Sequence, residues 1–363
     1  MKERYVGIDL AKRTMEVCLV SDGAQIERHG LKTDAEGRRR LCGLLSRTDT
    51  VGFEVCAYAT MLARQLIREV GCTVHLLNPG QLQVIWKSAK KTDREDALKL
   101  AKMLQRFPVE ELPAVPLTSE AEEDARYSVS TAQYLKGKRV AAINRLHALY
   151  VRDGIVEVTK KDLATGKNRE KTMAALPEKL QVYAKYLQEE LALLEQQLEE
   201  VQGALEEKTR ENELAPYVMS IPGVGLGIAG VLLAYLGDGS RFSHAKEVAN
   251  YAGFTPRVDC SGETERYGHI SKRTFCRAIR SVVLEGVWAM ARSGSGGRLR
   301  VKYNSLSERM SKKKSAVAIA RKMVSLAWLL MTRRELYRDA QEAALRKKFA
   351  FYKIKFEGWG SAA

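Results

Sequence analysis

Four carboxylates sit where elements of structure begin or end. Asp9 closes the stretch Arg4-Tyr5-Val6-Gly7-Ile8-Asp9-Leu10, which reads as a strand. Along it Tyr5, Gly7 and Asp9 share one face, and Val6, Ile8 and Leu10 share the other. An acid on a covered sheet face costs free energy unless a cation holds it. Taken alone, Asp9 could equally end a strand and cap a turn. Glu54 closes a second apolar strand, Val51-Gly52-Phe53-Glu54-Val55. Asp93 and Asp96 stand three apart in Lys91-Thr92-Asp93-Arg94-Glu95-Asp96-Ala97, where a helix is expected to start. That spacing puts both side chains on one helical face. Carboxylates from two strand ends and one helix start make an all-oxygen donor set. Hard divalent cations prefer such a set, and pairs of them serve phosphodiester chemistry.

The elements that must position these acids follow from periodicity. Residues 4–10, 14–20 and 25–31 read as three consecutive strands, with Ser21-Asp22-Gly23 as a turn. A helix is expected over 34–47, opened by Asp34 as N-cap. After the Glu54 strand come a helix over 59–70 ended by Gly71, a strand over 73–77 and a helix over 94–106. Three strands in a meander followed by alternating helix and strand is the order of an α/β RNase H-like layer fold.

The chain has 363 residues and a net charge of +16. Such a balance argues for a polyanionic partner, nucleic acid first. The charge is concentrated: residues 266–363 carry 23 Lys or Arg against 6 Asp or Glu, so the rest of the chain is close to neutral. Six cysteines (Cys18, Cys42, Cys56, Cys72, Cys260, Cys276) show neither CxxC pairs nor metal-ligand spacing. They read as reduced thiols of a cytosolic protein. No signal peptide or apolar run of membrane-spanning length is expected.

Beyond Pro108, Pro113 and Pro116 the pattern turns helical. Residues 119–153 carry Arg126, Lys136, Lys138, Arg139, Arg145, His147 and Arg152, a basic side or simply a solvated face. Residues 154–175 read as a polar loop or hairpin. Over 177–213, Leu180, Leu187, Leu194 and Val201 step by seven, as do Ala184, Leu191, Leu198 and Leu205, offset by four. This is an a/d seam, which predicts a coiled coil between chains or a hairpin packed on 119–153. Ile221-Pro222-Gly223-Val224-Gly225 is similar to the turn of helix-hairpin-helix DNA-binding modules, in which glycines such as Gly223 and Gly225 bring backbone N–H groups to a phosphate. A tight helix–helix turn needs the same glycines. Ser261-Gly262 precedes Gly268-His269-Ile270-Ser271-Lys272-Arg273, and most serines in such a setting only form turns. Lys312, Lys313 and Lys314 begin another basic helix, and the last residues read as a basic, partly disordered tail.

Together these motifs resemble the DEDD transposases of the IS110 family of insertion sequences and the related Piv-type DNA invertases. The resemblance covers essentially the whole chain. It rests on Gly7-Ile8-Asp9, Phe53-Glu54, Lys91 to Ala97, Arg139 to Leu146, Ile221 to Gly225, and Ser261-Gly262 followed by Gly268 to Arg273. It implies a RuvC-like catalytic domain over 1–117, a helical coiled-coil region for RNA binding and oligomerisation over 118–213, a mainly helical serine transposase domain over 214–335, and a tail over 336–363. Asp9, Glu54, Asp93 and Asp96 then bind Mg²⁺, as one or two ions that Mn²⁺ can replace. Ser261 is the nucleophile. The implied partners are donor and target duplex DNA, a non-coding bridge RNA, and further copies of the chain as a dimer assembling to a tetramer, all in the prokaryotic cytosol or nucleoid. Two departures stand out: Cys260 precedes Ser261 where many relatives have a second serine, and Thr274 follows the Lys-Arg pair where relatives often have glycine.

The implied reaction is attack of the Ser261 hydroxyl on a DNA phosphate, giving a phosphoserine link that conserves the energy of the phosphodiester. Lys272 and Arg273 neutralise the phosphate, and the nucleic-acid contacts fall on Lys138, Arg139, Arg145, Gly223, Gly225, Lys272, Arg273, Lys312, Lys313 and Lys314. The rival enzyme reading is a RuvC-type structure-specific nuclease, in which activated water attacks and Ser261 is structural. An architectural nucleic-acid binder is the third, and it leaves four acids of a basic protein without a purpose.

Overall fold

The computed structural model describes residues 4–21, 26–85, 92–261, 264–270, 276–293 and 296–359. They form two compact units, residues 1–119 and 120–363.

In the first unit, β1 (Arg4–Leu10), β2 (Thr14–Ser21) and β3 (Ile26–Lys32) form an antiparallel meander. Helix α1 (Ala35–Leu44) follows, and Asp34 caps it by accepting from the Gly37 N–H. Next come β4 (Thr50–Glu54), α2 (Ala59–Glu69) and β5 (Thr73–Leu77), with β1, β4 and β5 parallel. Two elements absent from the expected order appear next, α3 (Pro79–Ile85) and a two-residue β6 (Ala114–Val115) antiparallel to β5. Between them lies α4 (Asp93–Arg106), capped by Thr92. The sheet order is β3-β2-β1-β4-β5-β6. This mixed sheet, with a mostly helical remainder of the chain, is consistent with an RNase H-like fold.

Side-chain alternation sorts the two sheet faces. Val6, Ile8, Val51 and Phe53 are buried against Leu41, Leu62 and Leu66 of α1 and α2. The opposite face takes α4, and glycine makes the approach possible. A Cβ on Gly7 would lie 2.1 Å from the Ala97 carbonyl oxygen and 2.4 Å from the Ala101 nitrogen. One on Gly52 would meet Leu104 at 2.8 Å. Any larger residue at position 7 would push α4 off the sheet.

The second unit begins with an antiparallel pair of long helices, α5 (Glu120–Arg152) and α7 (Glu178–Glu211). Ala184, Leu191 and Leu194 of the heptad seam pack on Leu135, Ile143, Leu146 and Tyr150 of α5, with Leu180, Leu187, Leu198 and Val201 partly buried in the same cluster. The seam therefore closes within the chain, the second of the two arrangements that the spacing allows. Leu191 is fully buried there. Leu191→Ala is expected to cost about 2–5 kcal/mol and to lower the melting temperature followed by circular dichroism. A loss of oligomer mass in light scattering at unchanged melting temperature would point instead to a seam between chains.

Residues 154–175, expected as a loop or hairpin, contain α6 (Gly166–Met173), whose Arg169 is buried. The rest of the unit wraps α8 (Ala215–Met219), α9 (Leu226–Leu236), α10 (Ala245–Tyr251), α11 (Arg277–Arg292), α12 (Gly297–Arg309) and α13 (Lys312–Arg333) around a second core, and the antiparallel pair β7 (Pro256–Ser261) and β8 (Thr264–Ile270) lies between α10 and α11 in the chain. Helix α13 is long and apolar enough, by length and composition, to cross a membrane, contrary to the expectation that no such run exists. Ile319, Ala320, Met323, Val324 and Ala327 place it in the core of this unit.

The expected C-terminal tail is a folded element. Helix α14 (Glu342–Tyr352) buries Leu345 and Phe349 in the same core, and Phe356 and Trp359 pack against it. Arg346 lies 4.4 Å from the Trp359 ring centroid. Lys348 Nζ donates to the Met219 carbonyl at 2.5 Å, and burial pushes its pKa down to about 8. The run Arg346-Lys347-Lys348 dominates the local composition and masks the apolar spacing beneath it.

Candidate active site

The parallel β1–β4 ladder pairs Ile8 with Phe53. Asp9 and Glu54, one residue further along, stand side by side at the carboxyl end of the two strands. Gly7 and Gly52, two residues earlier on each strand, both face α4. By alternation Asp9 and Glu54 face the same way.

Helix α4 brings the other two acids to that end. Asp93 is one turn ahead of Ala97, and Asp96 one turn ahead of Leu100, and both Ala97 and Leu100 rest on Gly7. Both acids are thus on the sheet-facing side of the first turn. The direction of α4 is fixed by Arg94, whose Nε is 3.7 Å from Glu16 Oε2, and Glu16 is the cross-strand partner of Asp9. The first turn therefore lies at the carboxyl end of β1. Four hard oxygen donors from three elements suit a divalent ion by donor chemistry.

The side chains are not gathered around a common point. Among the described residues, no group of three or more His, Cys, Asp or Glu stands ready to hold a metal ion. Helix α4 supplies part of the reason. Lys99 Nζ lies 2.7 Å from Asp96 Oδ1, so one of the four carboxylates is engaged by a cation of its own helix. Glu16, Arg94 and Lys99 were not singled out from the sequence. The signal for Glu16 lay in strand alternation combined with register, and register is not readable from one strand alone.

Ser261 is the last residue of β7 and pairs with Thr264 of β8. Gly262, Ser271, Lys272 and Arg273 lie outside the described residues.

The expected nucleic-acid contacts divide. Arg139 is turned inward: its Nε donates to Glu195 Oε1 at 2.9 Å. Glu195 also receives Arg169, at 2.6 Å. The Arg169 hydrogen bond, followed by that of Arg139, holds the Glu195 carboxyl below its usual range. Its contribution to stability is present above the unfolded-state pKa and is lost as pH falls through the lowered folded value. Lys138 and Arg145 are exposed on another face of α5. That face also carries Tyr127 and Tyr134, 63% and 62% exposed, and Lys138 sits 5.5 Å over the Tyr134 ring. Lys312, Lys313 and Lys314 are exposed in the first turn of α13, after the Ser311 cap.

Gly223 and Gly225 lie in a packed turn. Gly223 has φ +84°, and a Cβ there would meet the Gly286 carbonyl oxygen of α11 at 2.2 Å. A Cβ on Gly225 would meet the Tyr352 hydroxyl at 3.1 Å. The glycines thus bring the turn against α11 and α14, as a tight helix–helix turn requires.

Comparison with known proteins bears on both units. A family model described as a transposase, the DEDD type of IS110, matches residues 6–152. A second, described as the transposase IS116/IS110/IS902 family, matches residues 215–304. A probable family 20 transposase of Pseudomonas aeruginosa is 26% identical over 345 residues, covering 92% of this chain and 98% of its own. The transposase for insertion sequence element IS1111A of Coxiella burnetii is 24% identical over 346 residues, covering 92% and 91%. The pilin gene-inverting protein of Moraxella bovis is 24% identical over 287 residues, covering 72% and 75%.

Proposed function

The chain is a transposase of the IS110 family, and from that premise we propose that it cuts and rejoins donor and target DNA through a covalent link to Ser261. The observation that carries the proposal is the meeting of four acid-bearing positions at one end of one sheet face. Asp9, Glu54, Asp93 and Asp96 hold a divalent ion, with Mg²⁺ the ion we expect in the cell and Mn²⁺ a substitute. When bound, the metal supplies Lewis-acid stabilisation of phosphate oxygens.

The chain's own residues do the rest. The Oγ of Ser261 attacks a backbone phosphorus. A new O–P bond forms, the phosphorus–oxygen bond to one sugar breaks, and that sugar keeps the oxygen as a hydroxyl after taking up a proton. The serine proton leaves to solvent or a nearby base. Attack by a sugar hydroxyl of another strand on the phosphoserine reverses these steps and releases the serine. No external energy source is consumed. Lys272 and Arg273 offset the phosphate charge.

A non-coding guide RNA is the second polyanion in this proposal, and its contact is the exposed face of α5. The support is chemical: two exposed tyrosines can stack on unpaired bases, and Lys138 and Arg145 can meet phosphates. Lys138→Ala with Arg145→Ala is expected to weaken RNA binding more than binding to bare duplex DNA, and to reduce the salt slope by about two. Equal loss on both ligands sinks the RNA assignment. Arg139→Ala is expected to lower thermal stability instead, because it strips a partner from Glu195. The active assembly is a dimer that pairs into a tetramer. The domain limits of 117, 213 and 335 belong to the same proposal.

Mobility of protein–DNA mixtures before and after protease treatment tests the reading. A protease-sensitive adduct is the expected result. Cut ends without an adduct indicate a metal-dependent nuclease, and reversible shifts alone indicate a binder.

A further inference from the structure

Helix α12 has two unlike sides. Leu299 and Tyr303 are buried, and Leu306 packs partly against the same core. Arg298, Lys302, Ser305 and Arg309 step by four, three and four, so they share one outward stripe, and all are exposed. Val301, Asn304 and Glu308 are exposed on a second stripe beside it.

The first stripe is cationic. Residues 297–314 hold seven Lys or Arg and a single acid, Glu308. Only Met310 and Ser311 separate Arg309 from Lys312, Lys313 and Lys314, which carry the charge into the first turn of α13. Among the described residues, Arg298 alone of these exposed cations is in an ion pair, with Nε 3.2 Å from Asp339 Oδ1. Arg298 is itself 87% exposed, so that pair is weak. Cations gathered without carboxylates repel one another and favour a polyanion.

The second stripe carries no cation. Val301 is 70% exposed. A scattered exposed valine is ordinary. This one lies between Arg298 and Lys302 in the chain, next to the small polar Asn304 and Ser305. The face is therefore low along one stripe and long and charged along the other. That profile suits a groove with phosphates at its edge. An α-helix is about 10–12 Å across, and the major groove of DNA is about 12 Å wide. From Arg298 to Arg309 the stripe runs about 16 Å, the length of about five base pairs. Duplex RNA fits poorly, because its major groove is too deep and narrow for side chains to read.

We propose that α12 reads duplex DNA directly in the major groove. The inference rests on the reading of this chain as one that binds donor and target DNA. It adds a sequence preference of the protein's own to that supplied by a guide RNA. Val301 meets a thymine methyl, Asn304 pairs with an adenine edge, and Ser305 bonds to a neighbouring base. Arg298, Lys302 and Arg309 hold the phosphates of one strand, and Lys312, Lys313 and Lys314 continue along the backbone. Glu308 repels phosphate and can accept from a cytosine amino group, so it faces the bases.

The test is selection from a pool of duplexes randomised in the centre. The full chain is used without RNA, with divalent metal chelated so that no strand is cut. Fluorescence anisotropy then compares selected and unselected duplexes over a salt series. The wild type should enrich a motif of about five base pairs, the length of the stripe. Lys302→Ala with Arg309→Ala should weaken both kinds of duplex alike and lower the salt slope by about two. Val301→Ala with Asn304→Ala should keep the salt slope and reduce the preference for the selected duplex about 10-fold. Lys347→Ala removes an exposed cation of α14 and should change neither. The proposal is overturned if the wild type enriches no motif, or if Val301→Ala with Asn304→Ala keeps the full preference. It is also overturned if Lys347→Ala lowers affinity as much as Lys302→Ala does, since net charge would then explain binding. A greater loss on duplex RNA than on duplex DNA in the cation variants would give the face to RNA, against the proposal. In each of these cases the recombinase reading stands as long as the wild type binds duplex DNA. A wild type that binds no duplex, with or without RNA, removes both.

Discussion

Ser261→Ala should yield no protein–DNA adduct and no recombinant product, while the protein melts as the wild type does and still binds DNA and RNA. The substitution removes one oxygen at the end of β7 and leaves the β7–β8 pairing of Ser261 with Thr264 to the backbone. Removal of a covalent nucleophile costs on the order of 10⁴-fold or more in rate, so product should fall below detection. Ser261→Cys is the informative companion. Sulfur attacks phosphorus, but it suits a hard-metal reaction poorly, so a trace of adduct with little recombinant is expected. Ser271→Ala should keep the adduct. Adduct that survives Ser261→Ala and disappears in Ser271→Ala would mean that the nucleophile is the other serine. Cut ends that persist in both, and vanish with the acids, would establish the nuclease reading.

The sheet face on which Asp9 lies was legible in the sequence. Alternation along residues 4–10 places Asp9 opposite the apolar face, and the structure puts Val6 and Ile8 in the core behind it. The meander and the α/β alternation could be read because strands and helices differ in period. What stayed hidden depended on tertiary pairing. The spacing of Gly7 and Gly52 gives no hint that α4 rests on them, since the contact is made by residues some fifty to ninety positions away in sequence. Glu16 becomes interesting only once register sets it across from Asp9. Arg139, Lys138 and Arg145 look equivalent as cations, and only Glu195 at 2.9 Å separates the first from the others. The heptad seam was visible, but its partner was not: a/d spacing states that a stripe will be buried, not by which helix. At the C-terminus, charge concealed Leu345 and Phe349, which hold α14 on the core.

Asp9→Asn should eliminate recombination in Mg²⁺ while leaving the metal-free protein as stable as wild type or more so. Asp9 faces Glu16 across the ladder and stands beside Glu54, so neutralising it relieves repulsion among carboxylates. The double variant Asp93→Ala, Asp96→Ala should be equally inactive, but its metal-free stability should behave differently. Asp93 and Asp96 lie in the first turn of α4, where negative charge is worth about 0.3–1 kcal/mol each against the helix dipole. Asp96 also loses Lys99, a part-exposed pair worth at most about 1 kcal/mol. That variant should melt a few degrees lower without metal. Addition of Mg²⁺ or Mn²⁺ should raise the melting temperature of the wild type, because an ion that binds only the folded chain stabilises it by mass action, and should leave both variants where they were. The loss in rate should reach about 10³-fold or more, the equivalent of several kcal/mol of transition-state stabilisation removed with the ion. Normal recombination by either variant in Mg²⁺ would remove these acids from catalysis and leave their meeting at the end of β1 and β4 to be explained as structure. A variant that is inactive yet still shows the metal-induced rise in melting temperature would locate the ion elsewhere on the chain.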